Sequence, residues 1–223
     1  PDHKTAEAMR ARIREIMTER DTLGGIIEVA ILNLPVGLGS HVHWDRKLEA
    51  RLGAAVLGVQ AIKGVEFGSA FENSRLPGTQ VHDAIHLDQA GSNAENARNS
   101  GANKLTRPTN RAGGLEGGIS NGQPLIIRAA MKPIATTLNP QQTVDLATGQ
   151  ETNTVYERSD FCPVPRAVPI IEGVAAFILA DALLEKLGGD SLLEMKERFM
   201  RLRDATINDL PMDHMGHTFW PGD

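Results

Sequence analysis

The sequence predicts an α+β fold in which central helices are sandwiched by sheets. Helix-spaced and strand-like segments alternate along all 223 residues. The stretch RAVPIIEGVAAFILADALLEKLG (166–188) is apolar around most of its circumference, as suits a helix buried between layers and not one lying on a surface. The strand candidates are short, end at glycine or proline, and form no internal repeat. With 41% hydrophobic residues, a chain of this length can fill a substantial core.

The elements follow from local pattern. Ala6, Met9, Ile13, Ile16 and Met17 keep helical spacing, which predicts an amphipathic helix over 4–19. GGIIEVAILNLPVGLG reads as a strand of alternating residues stopped by Pro35 and the glycines after it. Leu48, Leu52, Ala55, Val56 and Val59 mark a helix over 45–60, with Asp45 as its N-cap, and AIKGVEFGSA supplies a short strand. Residues 78–111 form a long polar stretch of little periodicity, the kind of loop that is functional or disordered. Further strands are expected at PLIIRAAMK, QTVDL and TVYER. The last helix begins at a cap on Asp190 or Ser191, with Ser191 and Glu194 at capping-box spacing and Leu192, Met195, Phe199 and Leu202 on one stripe.

Composition narrows the function classes. A net charge of −5 argues against general nucleic-acid or membrane-surface binding, and 4% aromatics leaves little for base stacking. The single cysteine, Cys162, excludes an internal disulfide framework and fits a reducing compartment. The longest apolar run, 167–184, contains Glu172 and Asp181 and is not expected to be both long and apolar enough to span a bilayer; the N-terminus lacks the apolar core of a signal peptide. The expectation is a cytoplasmic protein with neither nucleic acid nor membrane as partner.

Two constellations carry possible chemistry. NRAGGLEGGISNGQP (110–124) holds five glycines, and Arg98, Lys104, Arg107 and Arg111 lie without an acid between Asn96 and Leu115. A glycine-rich turn whose amides point inward is an anion nest, reinforced here by the cations and by Lys132, Thr136 and Thr137 downstream. An ordinary hairpin with a solvated basic rim explains the same residues. In ERSDFCPVPRAVP (157–169), Arg158 and Asp160 sit two apart, so an extended backbone puts them on one face toward one ligand, with Arg166 following. A salt bridge fixing the junction before the helix is the alternative. The alternate histidines His41 and His43 could hold a metal on a strand, but polar residues ahead of a helix capped by Asp45 explain them as well, and no metal site is expected. His214 and His217 fall in a tail, and Cys162 reads as structural.

AIKGVEFG, TNRAGGLEGGISNGQP, RAAMKPIATT, TVD and ERSDFCPVPRAVPIIEG, in this order and spacing, resemble chorismate synthase. The resemblance runs from DTLGGIIEV, where the family usually has GDSLGG, through LADALLEKLGGDSL, and the KPIAT and ERSD forms resemble the longer bacterial version. It implies a β-α-β sandwich with central buried helices between antiparallel sheets. It also implies a lyase that forms chorismate from 5-enolpyruvylshikimate 3-phosphate by 1,4-trans elimination of phosphate, and that requires reduced FMN. By motif, the flavin contacts carried over are Gln60, Ala61, Gly117, Lys132, Pro133, Ile134, Ala135, Thr136 and Arg158. Asp160 matches the catalytic aspartate, and Arg158 also faces the substrate. The bare backbone at 113–118 would let the flavin pack closely. The family assembles as a homotetramer, and some members reduce their own flavin with NADPH. The family's glycine-rich SHG motif, its proton-donating histidines and several substrate-binding arginines have no counterpart here; none of the seven histidines matches. The chain therefore reads as residues 1–206 forming the C-terminal part of one such domain, followed by a mobile tail at 207–223. The alternative is a non-catalytic flavin-binding or oligomerisation module.

Overall fold

The computed structural model describes residues 2–88, 104–157 and 160–203. In chain order the elements are α1 (His3–Thr18), β1 (Gly25–Ile31), a 3-10 turn (Trp44–Arg46), α2 (Leu48–Leu57), β2 (Ile62–Phe67), α3 (Ala70–Asn73), α4 (Gly78–Val81), β3 (His86–Asp88), β4 (Lys104–Thr106), β5 (Leu115–Glu116), β6 (Ile119–Ser120), β7 (Leu125–Met131), β8 (Gln142–Asp145), β9 (Gln150–Asn153), α5 (Val164–Leu187) and α6 (Leu192–Arg203). The expected mobile tail at 207–223 lies outside the described residues.

The centre is an antiparallel sheet in the order β1-β7-β2. Gly25 of β1 pairs with Met131 and Ile31 with Leu125, while Phe67 of β2 pairs with Ile127. Strand alternation then sorts the two faces. Ile27 and Val29 join Leu125, Ile127 and Ala129 on the inner face, which packs on Leu48, Leu52 and Val56 of α2 and on Ala167, Ile171, Ala175 and Leu179 of α5. The outer face carries a charged row across all three strands, with Arg128 between Glu66 at 2.5 Å and Glu28 at 3.5 Å. Those charges hold that face toward solvent.

The expected α+β mixture of helices and antiparallel sheets is present. Sheet and α2 cover one side of α5, and the other side exposes Ile170, Phe177 (74%) and Leu184 at seven-residue intervals. Among the described residues α5 is also the one helix long and apolar enough to cross a membrane, contrary to the expectation from Glu172 and Asp181. Three acids in 24 residues, Glu172, Asp181 and Glu185, do not offset so apolar a composition, and this chain uses the helix's inner face to close its core.

Three local expectations shift. The strand expected at TVYER lies earlier, at Gln150–Asn153, because the turn after Asp145 sets the register. Asp145 accepts from the amide of Ala147 at 2.8 Å and Gly149 takes φ +69°, so Asp145 faces Gln150 and the Thr-Val-Tyr run is left beyond the hairpin. Asp45 does not cap α2. That helix starts at Leu48, whose amide donates instead to the carbonyl of Gly118 at 2.9 Å, so the glycine hairpin closes its first turn. The polar stretch after residue 78 holds α4 and the β3–β4 ladder. At the last helix the cap is as expected, the Glu194 amide donating to the Ser191 hydroxyl at 3.3 Å.

Candidate functional site

Most of the described residues selected from the sequence gather at one end of the central sheet, where β7 finishes. Ala61, just before β2, takes φ +69°, a left-handed conformation rarely adopted by a residue with a side chain. Its carbonyl accepts the amide of Lys132 at 2.9 Å. Gln60–Ala61 and the run Lys132–Thr136 therefore meet directly, although 70 positions separate them in sequence. Lys132 is exposed and makes no ion pair among the described residues. The 160–164 segment reaches the same place. The amide of Leu23, on the turn entering β1, donates to the carbonyl of Phe161 at 2.7 Å, and Val164 at the start of α5 packs against Gly25. Asp160 pairs with Arg166 at 2.8 Å, and both side chains are solvent-accessible. That is the junction salt bridge, made with Arg166; Arg158 lies outside the described residues.

Gly117 is elsewhere. It turns the β5–β6 hairpin, which packs where β7 begins: the amide of Ile126 donates to the carbonyl of Gly113 at 3.0 Å. The length of β7, about 20 Å at the usual strand rise, separates it from Lys132. The glycine cluster also serves the chain's own packing. A Cβ on Gly113 would sit 2.1 Å from the Gly68 amide nitrogen, and one on Gly118 would sit 2.6 Å from the Ser40 carbonyl. The bareness of 113–118 thus chiefly lets the chain's own backbone pass closely. Gly117 is the exception, with φ +63° and nothing within 4 Å of the position a Cβ would take.

The anion nest exists, but the protein fills it with its own carboxylate. Asp83 accepts the amides of Arg111 and Ala112, each at 2.9 Å, and the Thr109 hydroxyl at 2.6 Å. The cations are committed too: Arg107 pairs with Glu116 at 2.8 Å, and Arg111 donates to Asn73 at 3.2 Å. Arg98 and the side chain of Lys104 lie outside the described residues. For Asp83, partial burial pushes the carboxyl pKa up, but the Thr109 hydroxyl, the Ala112 and Arg111 amides and nearby Arg107 together hold it below the ordinary 3.8. A lowered folded-state value contributes stability above the unfolded value, and that contribution is lost as pH falls through the lowered one. The Asp83→Asn variant is therefore expected to melt below wild type at pH 7, with the gap closing as pH drops under about 4. A gap that stays constant from pH 7 to pH 3 would refute a charged Asp83 as the lock.

The remaining candidates are quiet. His43 Nδ1 and Asp45 Oδ1 lie 2.5 Å apart on the surface, and no group of metal-ligating side chains occurs among the described residues. Bonding to His43, opposed weakly by burial, lowers the Asp45 pKa. Cys162 is half-buried. A cavity of about 340 Å³ lies at the hairpin end, lined by Gly39, Ser40, Val42, Arg46, Ala182, Glu185 and Lys186, with Arg46 paired to Glu185; none of the sequence-selected residues lines it. His214 and His217 lie outside the described residues.

The family model for chorismate synthase matches residues 1–184. The chain belongs to the chorismate synthase family. A chorismate synthase of Caldanaerobacter subterraneus subsp. tengcongensis is 50% identical over 196 residues, which cover 88% of this chain and 53% of that protein. One from Geobacter metallireducens is 48% identical over 198 residues, covering 89% and 49%. A crystal structure of a chorismate synthase superposes with a TM-score of 0.68 at 39% identity, over 88% of this chain and 48% of the other. The chain thus spans about half the length of the chorismate synthases it matches. Sequence reading missed two groups at these sites, Thr22 and Asp83. Their contacts lie 112 positions away for Thr22 and nearly 30 for Asp83, and no spacing rule reaches across such gaps.

Proposed function

We propose that this chain carries part of an FMN-dependent chorismate-forming site at the β7 end of its sheet. The observation that supports this reading is the hydrogen bond of 2.9 Å from the Lys132 amide to the Ala61 carbonyl. It joins two motif pieces that the resemblance assigns to one cofactor, and it sits on a strained backbone position. The donor set suits a phosphorylated flavin. Lys132 offers an exposed ammonium, while Pro133 stiffens the run toward the Thr136 hydroxyl.

The reaction is elimination from 5-enolpyruvylshikimate 3-phosphate. The C–O bond to phosphate and one ring C–H bond break, a ring double bond forms, and phosphate and a proton leave. Reduced FMN, when bound, supplies the electron-rich centre that this redox-neutral elimination requires. Lys132 and the 133–136 backbone hold a phosphate and orient the ring system. Asp160 holds or relays a proton at its carboxylate, and Arg166 restrains its rotation. Arg158 and Gly117 complete the set by resemblance, the latter from the far end of the sheet. NADPH as the reductant rests on the resemblance, and a cytoplasmic location on the composition and the single cysteine.

Lys132→Ala should weaken FMN binding about 10-fold or more, the effect of removing one charge-assisted phosphate contact. Lys104→Ala, in the polar stretch, should change it little. Fluorescence titration of both variants tests this, and equal effects would remove Lys132 from the site.

The second reading, a flavin-binding or oligomerisation module without chemistry, draws on the bare face of α5. Ile170, Phe177 and Leu184 form a stripe that self-association would cover, in keeping with a homo-oligomer, the family's tetramer among the possibilities. Phe177→Asp should lower the sedimentation-derived association constant. An unchanged constant would place the contact elsewhere.

A further inference from the structure

We propose that Thr22 is a positioning residue, the clasp that sets the Lys132–Thr136 run against the segment bearing Asp160; the inference rests on the flavin reading above. Four consecutive residues touch both halves of the site. The Thr22 hydroxyl donates to the carbonyl of Ile134 at 2.6 Å, in a partly buried contact. The next amide, that of Leu23, donates to the carbonyl of Phe161 at 2.7 Å. Gly24 lies so close to the end of β7 that a Cβ there would be 2.3 Å from the Met131 carbonyl and 2.9 Å from the Pro133 nitrogen. Gly25 abuts Val164, where a Cβ would sit 3.1 Å from a methyl group.

The geometry explains why a side-chain donor is needed. Beyond Met131 the run leaves the sheet ladder, so no paired strand amide donates to its carbonyls. The Ile134 carbonyl is thereby held by a hydroxyl. Thr22 is itself fixed, its amide bonded to the Asp21 carboxylate at 2.7 Å. Losing the hydroxyl leaves a partly buried acceptor without its partner and releases the middle of the run, while Leu23 continues to hold Phe161. The backbone around Ile134 is then no longer set against the segment bearing Asp160, although the Ala61 carbonyl still holds the Lys132 amide.

The test compares Thr22→Val, which keeps shape and removes the donor, with Thr22→Ser, which keeps the donor and loses a methyl group. FMN affinity by fluorescence titration is expected to fall about 10-fold in Thr22→Val, the size of one lost hydrogen bond with an unsatisfied acceptor, and to return to within about 2-fold of wild type in Thr22→Ser. Amide hydrogen exchange without flavin is expected to quicken at Ile134–Thr137 in the valine variant only, with the thermal midpoint nearly unchanged. Wild type that binds FMN, with a valine variant matching it in affinity and exchange, overturns the clasp and leaves the flavin reading standing. Wild type that fails to bind FMN sinks the flavin reading. Exchange then still decides whether Thr22 sets the run. Should the valine variant unfold, Thr22→Ser decides: exchange or affinity changed beyond 2-fold counts against the hydroxyl as the operative group.

Discussion

Asp160→Asn is expected to cut chorismate formation by about 10²–10⁴-fold while leaving flavin affinity within a few-fold, the range seen for loss of an acid–base group. The measurement belongs in a chimera joining this chain to the portion of the Caldanaerobacter relative that it does not match. Asparagine keeps the shape and part of the hydrogen bonding to Arg166 but cannot take a proton. The competing role is purely structural, since Asp160 and Arg166 already form an ion pair at 2.8 Å. Magnitudes separate the two. An accessible ion pair contributes about 0–1 kcal/mol, so a strut would lower the melting temperature slightly and leave turnover within a few-fold. A large fall in turnover at nearly constant melting temperature supports chemistry. Turnover within a few-fold of the parent would reduce Asp160 to the strut.

What the sequence made legible depended on whether the deciding interaction was local. The ends of α5 were readable within a few residues because Pro163 and Pro165 open it and Gly188, at φ +60°, closes it. The burial of α5 was only half readable: apolar residues all round say that both sides want cover, but not what covers them. The strand after Asp145 went astray because Val155 and Tyr156 have strong strand propensity but lie past the last ladder pair, Gln142 with Asn153, whereas the turn chemistry at 145–149 chose weaker residues that face a partner strand. The glycine cluster was visible as a close approach. Only the fold shows that Gly68 and Ser40 make that approach, and that Asp83 occupies the nest. Each side of the candidate site carried a motif, but their junction at Ala61 and Lys132 is a tertiary contact, as is the Thr22 clasp.

The 223-residue chain by itself is expected to form no chorismate from 5-enolpyruvylshikimate 3-phosphate with photoreduced FMN. The β7 end of the sheet brings together Lys132, Asp160 and Arg166, the groups proposed above to hold a phosphate and manage one proton. No histidine joins them among the described residues: His41 and His43 lie by the hairpin at the opposite end, His82 and His86 flank Asp83, and His3 opens α1. α1 is 16 residues long, so His3 stands about 24 Å along that helix from the turn that reaches the site. Departure of phosphate needs a proton donor and further cations on the substrate, and members of one catalytic unit act together, so a missing part removes far more than its share of the rate. Flavin affinity should also be weak, because Gly117 sits a strand length away from Lys132 in the same chain. Adding the separately expressed unmatched portion of the Caldanaerobacter relative should restore some turnover if it docks on the bare side of α5. Coupled detection of chorismate against a no-protein control reads both arms. Chorismate made by the chain alone would mean that Lys132, Asp160 and Arg166, with whatever else this chain brings, already suffice for the elimination.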